Sequence, residues 1–291
     1  MYQFNTILLL TIFLSISSVQ SQDYNFTGLL KLNDSLIISY KVKLSKNNGI
    51  IKGYSLTNQG GDHETKSLIK GRYNKQTNTL SFSENGIVYT KSPVNTNDFC
   101  YINFVGKING LDASKIEGKF RGKFTDGETC INGELVLMND EKMKEISDGI
   151  DKKIQKKKKL RKYADQGISI KKAMDTISQS QLRSGEKLSF FSNSKEYMLI
   201  LNDAGDADGD RVTISQNRNI ILRNQLIAKK PVKLELVVNQ YPTTIKISAL
   251  NSGKIPPNTI NVQLKAKNKI LKTLSNLEAG ESSRLIIREP K

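Results

Sequence analysis

The sequence predicts an all-β protein: an N-terminal antiparallel β-barrel, a Lys-rich helix, and a C-terminal β-sandwich. Three observations carry that prediction. Apolar and polar residues alternate with a period of two through residues 25–138 and again from 188 onward, Asn, Gly and Pro punctuate both stretches at short intervals, and the one long run with helical spacing separates them. The expected units are 1–21 as a signal peptide, 22–138 as the barrel, 139–187 as a basic helical linker and 188–291 as the sandwich.

In the first unit the alternation predicts strands at 26–32, 36–44, 50–57, 66–73, 79–83, 87–91, 100–108, 115–124 and 131–138. Asn47-Asn48-Gly49 is a hairpin turn, because Asn and Gly tolerate positive φ. Gly53, Gly71, Gly118 and Gly133 recur in the middle of strands, where glycine marks a bend, and repeated bends are what a closing barrel needs. The spacing is similar to that of lipocalin-type and avidin-type barrels in architecture alone. Such a barrel either encloses a ligand or fills itself with its own side chains.

Residues 141–164 read as a helix, with Met143, Ile146, Ile150, Ile154, Leu160 and Tyr163 at roughly helical intervals. Its run from Asp151 to Lys162 holds eight basic residues against one acid, and Lys156, Lys157, Lys158, Lys159, Arg161 and Lys162 are the candidate anion-binding residues. The alternative is a solvated helix between two domains. The second unit predicts strands at 197–201, 212–215, 220–222, 233–238, 244–249, 260–265 and 285–287, with Asn239–Pro242 and Gly253–Asn258 as turns.

The apolar run Ile7–Ile16, broken by Thr11 and Ser15, has the length of a signal-peptide core, and Val19 and Ser21 place cleavage before Gln22, although Met1–Thr6 lacks Lys and Arg. No second long apolar run follows, so the mature chain is expected outside the cytoplasm, periplasmic or secreted, without a transmembrane segment. In that oxidising setting Cys100 and Cys130 read as a disulfide ahead of two buried thiols. One His and two Cys cannot close a zinc site. The net charge of +17 suggests an acidic partner, and an acidic glycan or an envelope protein fits better than nucleic acid, since no aromatics interleave with the lysines.

Against that positive background, residues 202–210 pack Asp203, Asp206, Asp208 and Asp210 with Gly205 and Gly209. Carboxylates this close repel unless a cation separates them, and hard oxygen ligands suit calcium. The competing reading is an ordinary turn whose carboxylates cap backbone N–H groups. Catalysis has little support. His63, the one histidine, sits in a Gly-rich loop beside Asp62 and Glu64, and no Gly-x-Ser-x-Gly nucleophile turn occurs.

The segments Asp203-Ala-Gly-Asp-Ala-Asp-Gly-Asp-Arg-Val212 and Ala249-Leu-Asn-Ser-Gly-Lys-Ile-Pro-Pro-Asn-Thr259 resemble two ordered elements of a domain in uncharacterised exported cell-envelope proteins of the Bacteroidota. Two departures stand out: Gln216-Asn-Arg218 replaces an Asn-Gly turn, and the peptidoglycan-binding module of some relatives has no counterpart in this sequence. The resemblance implies a β architecture and an envelope address, not a chemistry. The resulting expectation is a non-catalytic exported binding or interaction module with calcium as the candidate cofactor. Its alternatives are a small-molecule binder holding its ligand in the barrel and, more distantly, a hydrolase using two spaced carboxylates.

Overall fold

The computed structural model describes residues 22–32, 36–93, 95–156, 180–205 and 207–290. The expected signal peptide, Asp206 and the basic positions 157–162 lie outside them. So do the side chain of Lys156 and the rest of the linker up to residue 179. Most of the described residues lie in strands and few in helix, so the β class is as expected. No helix among the described residues is long and apolar enough to cross a membrane.

The first lobe is built from β1 (Gln22–Lys31), β2 (Ile37–Asn47), β3 (Ile50–Thr57), β4 (Thr65–Asn74), β5 (Thr79–Thr90), β6 (Tyr101–Lys107), β7 (Lys115–Lys123) and β8 (Thr129–Asn139). Each strand pairs antiparallel with its neighbours in sequence, and β1–β8 completes a closed eight-stranded barrel. The expectation of nine strands is corrected here. Residues 79–83 and 87–91 are one strand, because the chain runs through Glu84-Asn85-Gly86 with register shifts against β4 instead of turning.

Alternation decides what fills the barrel. Phe26, Tyr40, Phe82, Phe104 and Phe120 all point inward and are at most 2% exposed. Phe82 and Phe104 meet with ring centroids 5.2 Å apart. The mid-strand glycines make room for that packing: a Cβ on Gly71 would meet the Ser81 carbonyl oxygen at 2.1 Å, and one on Gly133 would meet the Phe120 ring at 2.7 Å. Cys100 and Cys130 form the expected disulfide, with Cα atoms 5.9 Å apart, fastening the segment before β6 to β8.

One charged group is enclosed with the rings. Glu84 on β5 is buried and accepts hydrogen bonds from the Tyr40 hydroxyl at 3.0 Å, the Ile102 backbone N–H at 2.8 Å and the Ser55 hydroxyl. Burial raises its carboxyl above the usual range, and the three donors pull against that rise. Helix α1 (Asp140–Lys156) follows β8. The Asn139 side chain caps it by accepting from the Glu141 N–H, and Asp140 anchors it to the barrel through the Thr27 hydroxyl at 2.7 Å and Lys41 at 3.4 Å.

The second lobe contains β9 (Gln181–Leu182), β10 (Lys187–Phe191), β11 (Glu196–Asp203), β12 (Arg211–Gln216), β13 (Asn219–Leu226), β14 (Val232–Val237), β15 (Thr243–Ala249), β16 (Asn258–Ala266), β17 (Lys269–Leu277) and β18 (Ser282–Arg288). A five-stranded sheet runs β14-β11-β16-β17-β9, and a second row runs β13-β12-β15-β18-β10. Leu199, Leu201, Val262 and Leu264 from the first share one buried cluster with Ile214, Ile245, Ile247, Leu285 and Ile287 from the second. Leu182 is wholly buried in that cluster, so the lobe starts at or before Gln181, where the expected linker ran to Lys187.

The two lobes share a strand. The end of β5 leaves the barrel and pairs with β10, Thr90 opposite Ser189 and Tyr89 opposite Phe190, which makes one continuous 13-stranded sheet. Leu56, Val88 and Tyr89 from the barrel strands enter the second core, while the barrel keeps a core of its own. The buried Lys91 ammonium closes the junction on Glu186 at 3.0 Å.

Replacing Glu84 with Ala strands the Tyr40 and Ser55 hydroxyls and the Ile102 N–H inside the barrel. Urea denaturation should show a loss of roughly 3 kcal/mol, against nearly none for Glu134→Ala on the barrel exterior. Equal effects for the two would show that the interior carboxylate does not hold the barrel together.

Candidate metal centre

The acidic loop connects β11 to β12, and its carboxylates converge because both ends are fastened to one neighbouring segment. Asp203 closes β11 opposite Ile260 on β16, and the next residue continues the tie, the Ala204 N–H donating to the Thr259 carbonyl at 3.1 Å. At the other end the Arg211 N–H donates to the Asn251 side-chain oxygen at 2.7 Å, and the Asn251 amide returns a bond to the Gly209 carbonyl at 2.9 Å. In the middle the Lys254 N–H reaches the Asp208 carbonyl at 3.1 Å. The Asp-rich and Ile-Pro-Pro-Asn segments, forty residues apart in sequence, are thus one interlocked unit.

Ligand atoms of Asp203, Asp208 and Asp210 lie within 4.8 Å of one another. Each carboxylate has one oxygen held by the backbone: Asp203 accepts from the Gly205 N–H at 2.8 Å, Asp208 from the Ile255 N–H at 2.7 Å and Asp210 from the Thr259 N–H at 3.0 Å. The other oxygen of each is buried without a hydrogen-bond partner. The Asn258 side-chain oxygen is in the same condition, while its amide donates to the carbonyls of Asn251 at 3.0 Å and Arg211 at 3.4 Å.

Asp203 and Asp210 are each only 3% exposed. Burial pushes the Asp210 carboxyl up to about 6, the Thr259 N–H opposes that, and the charges of Asp208 and Asp203 add to the rise. Gly253 is required by this packing. Its φ is +60°, and a Cβ there would sit 2.4 Å from the Asp208 carboxylate oxygens.

Of the four expected ligands, the fold therefore joins Asp203, Asp208 and Asp210, and Asp206 lies outside the described residues. The capping reading of the loop holds for these three carboxylates, each of which accepts from a backbone N–H with one oxygen. Asn258 ends the turn expected at Gly253–Asn258, and nothing in the sequence signals its unpaired oxygen beside the Asp-rich segment. His63 is exposed, whereas its neighbour Glu64 is fully buried and accepts from the Tyr89 hydroxyl at 2.8 Å and the Gly60 N–H at 2.6 Å, a tie at the lobe junction. A hollow of about 1190 Å³ at the barrel wall is lined by the exposed side chains of Lys70, Arg72, Lys119 and Arg121 and by the core residues Phe82, Phe104 and Phe120.

No protein-family model, curated protein or solved structure matches this chain.

The raised Asp210 carboxyl sets a pH dependence for the metal-free protein. The folded state holds this proton more tightly than the unfolded chain, whose Asp value is 3.8, so the folded state gains from protonation below about 6 and loses that gain as pH rises. Melting temperatures in chelator, taken from about pH 4 to about pH 7, should show Asp210→Asn pulling ahead of the parent protein as pH rises. A constant gap between the two would contradict the raised carboxyl.

Proposed function

We propose that the protein is a non-catalytic binding or interaction module exported to the cell envelope, in which one calcium ion fastens the loops of a C-terminal β-sandwich. The observation that carries the calcium reading is the convergence of Asp203, Asp208 and Asp210, with ligand atoms within 4.8 Å of one another, while one oxygen of each is held by the backbone and the other is buried and unpaired. Three clustered negative charges, two of them buried, repel strongly without a cation among them in a medium less polarisable than water. Calcium takes six to eight hard oxygens and completes its shell with carbonyls and water. An all-oxygen set with no nitrogen or sulfur disfavours zinc or copper.

Catalysis here is disfavoured by the burial of Asp203 and Asp210, since a substrate cannot reach side chains that are 3% exposed. A ligand inside the barrel is disfavoured by the aromatic side chains that fill it. The envelope address rests on the signal-like leader, the disulfide, and the resemblance to exported Bacteroidota proteins, whose two sequence elements correspond to the interlocked loops.

Calcium bound only by the folded state stabilises it by about 2.7 kcal/mol at a hundredfold excess over the dissociation constant. Melting temperature should therefore rise by several degrees between chelator and millimolar calcium. Asp203→Asn and Asp210→Asn should abolish the rise even where the variant itself melts higher in chelator. An unchanged melting temperature, or the same rise in both variants, would dispose of the site.

A further inference from the structure

Three cations stand in one lateral row on the outer face of the second lobe. β10, β18 and β15 are adjacent, and their registers set Lys187 opposite Arg284 and Arg284 opposite Lys246. The neighbours of these residues along each strand, Leu188, Leu285, Ile245 and Ile247, belong to the core, so alternation turns all three cations outward. Adjacent strands are about 4.8 Å apart, and like charges directly opposite one another destabilise a sheet. Among the described residues none of the three forms an ion pair with a carboxylate.

A fourth cation comes to the same place against the preference of its own backbone. Gln216 pairs with Asn219, so Asn217 and Arg218 are the two central residues of the β12–β13 hairpin turn. Both are left-handed, with φ of 48° and 75°. Asn suits the first position, but the second strongly favours glycine, and a residue as bulky as arginine is strained there. Backbone strain of this kind gathers at sites where function outweighs local stability. Arg218, Lys187, Lys246 and Arg284 line a single hollow of about 650 Å³ with Ser215 and Asn217, and no acidic residue lines it.

We propose that this hollow binds a multiply charged oxyanion, a phosphate or sulfate group. Two guanidinium groups offer paired N–H donors that match the edges of such a group, and two ammonium groups add point charges. The Ser215 hydroxyl and the Asn217 amide supply neutral partners. No aromatic ring lines the hollow, so recognition falls on the charged group and not on a base or sugar face. The site shares no residue with the carboxylate cluster and does not depend on calcium there.

Calorimetric titration at physiological ionic strength tests this with sodium phosphate, sodium sulfate, sodium acetate and dextran sulfate. Phosphate or sulfate should bind saturably, acetate should not, and Arg218→Gly and Arg284→Gln should each weaken binding about tenfold. Lys70→Gln, which removes the same charge from the barrel, should leave it unchanged. Tighter binding of dextran sulfate than of the free ions, lost in the same two variants, identifies polymer-borne groups as the source, and the reverse order identifies the free ion. Arg218→Gly should also raise the melting temperature of the ligand-free protein at low salt by a few degrees, through relief of strain and repulsion. Three results would each overturn the proposal: no saturable binding of any probe, equal weakening by Lys70→Gln, or a lower melting temperature for Arg218→Gly.

Discussion

Mutual repulsion among three clustered carboxylates, Asp203 and Asp210 buried and Asp208 half-buried, is the constraint around which the loops of the second lobe are arranged. Asp203 ends one strand, Asp210 precedes the next, and Asp208 sits between them, so the loop can close only if carboxylate oxygens are tolerated at short range. The fold spends one oxygen of each on the backbone N–H groups of residues 205, 255 and 259, which fixes the direction of the other. Pre-orientation of this kind lowers the ordering cost of binding an ion. It also explains why Gly253 and the proline-rich turn lie where they do, since Asp208 occupies the space a side chain would need.

The barrel answers a similar problem in the opposite way. Glu84 is buried too, yet three donors converge on it, so it is a closed polar network inside an aromatic core. The same strand then leaves the barrel and pairs with β10. A single strand thus carries both the barrel's interior charge and the sheet that continues into the second lobe. The Lys91–Glu186 pair and the Glu64–Tyr89 bond tie the junction where that strand crosses.

Much of this was legible in the sequence. Clean alternation gave β2, β15 and β16, and the Cys100–Cys130 pairing followed from two cysteines in a chain with an export-like leader. β17 escaped because Thr273 and Ser275 occupy core-facing positions while Ile270 is exposed, which disguises a period of two. β9 is two residues long and carries no periodicity, and β10, with Leu188, Phe190 and Phe191 all buried, is too apolar for the alternation to show clearly. The break expected at Glu84-Asn85-Gly86 failed because those residue types suit a bulge as well as a turn. At the candidate metal centre, local density of Asp and Gly pointed to the loop, but Asn251, Gly253 and Asn258 act across forty or more residues of sequence, where only the fold reveals a partner. The row of Lys187, Arg284 and Lys246 was invisible for the same reason, although the Arg at the second turn position stood out as a departure from Asn-Gly.

The most direct test of the central claim is a crystal structure of the protein grown with calcium, with anomalous scattering used to locate the ion. The account requires one ion per chain between Asp203, Asp208 and Asp210, with carboxylate oxygens about 2.3–2.6 Å away. A well-ordered loop with the three carboxylates still together and only water between them would contradict it.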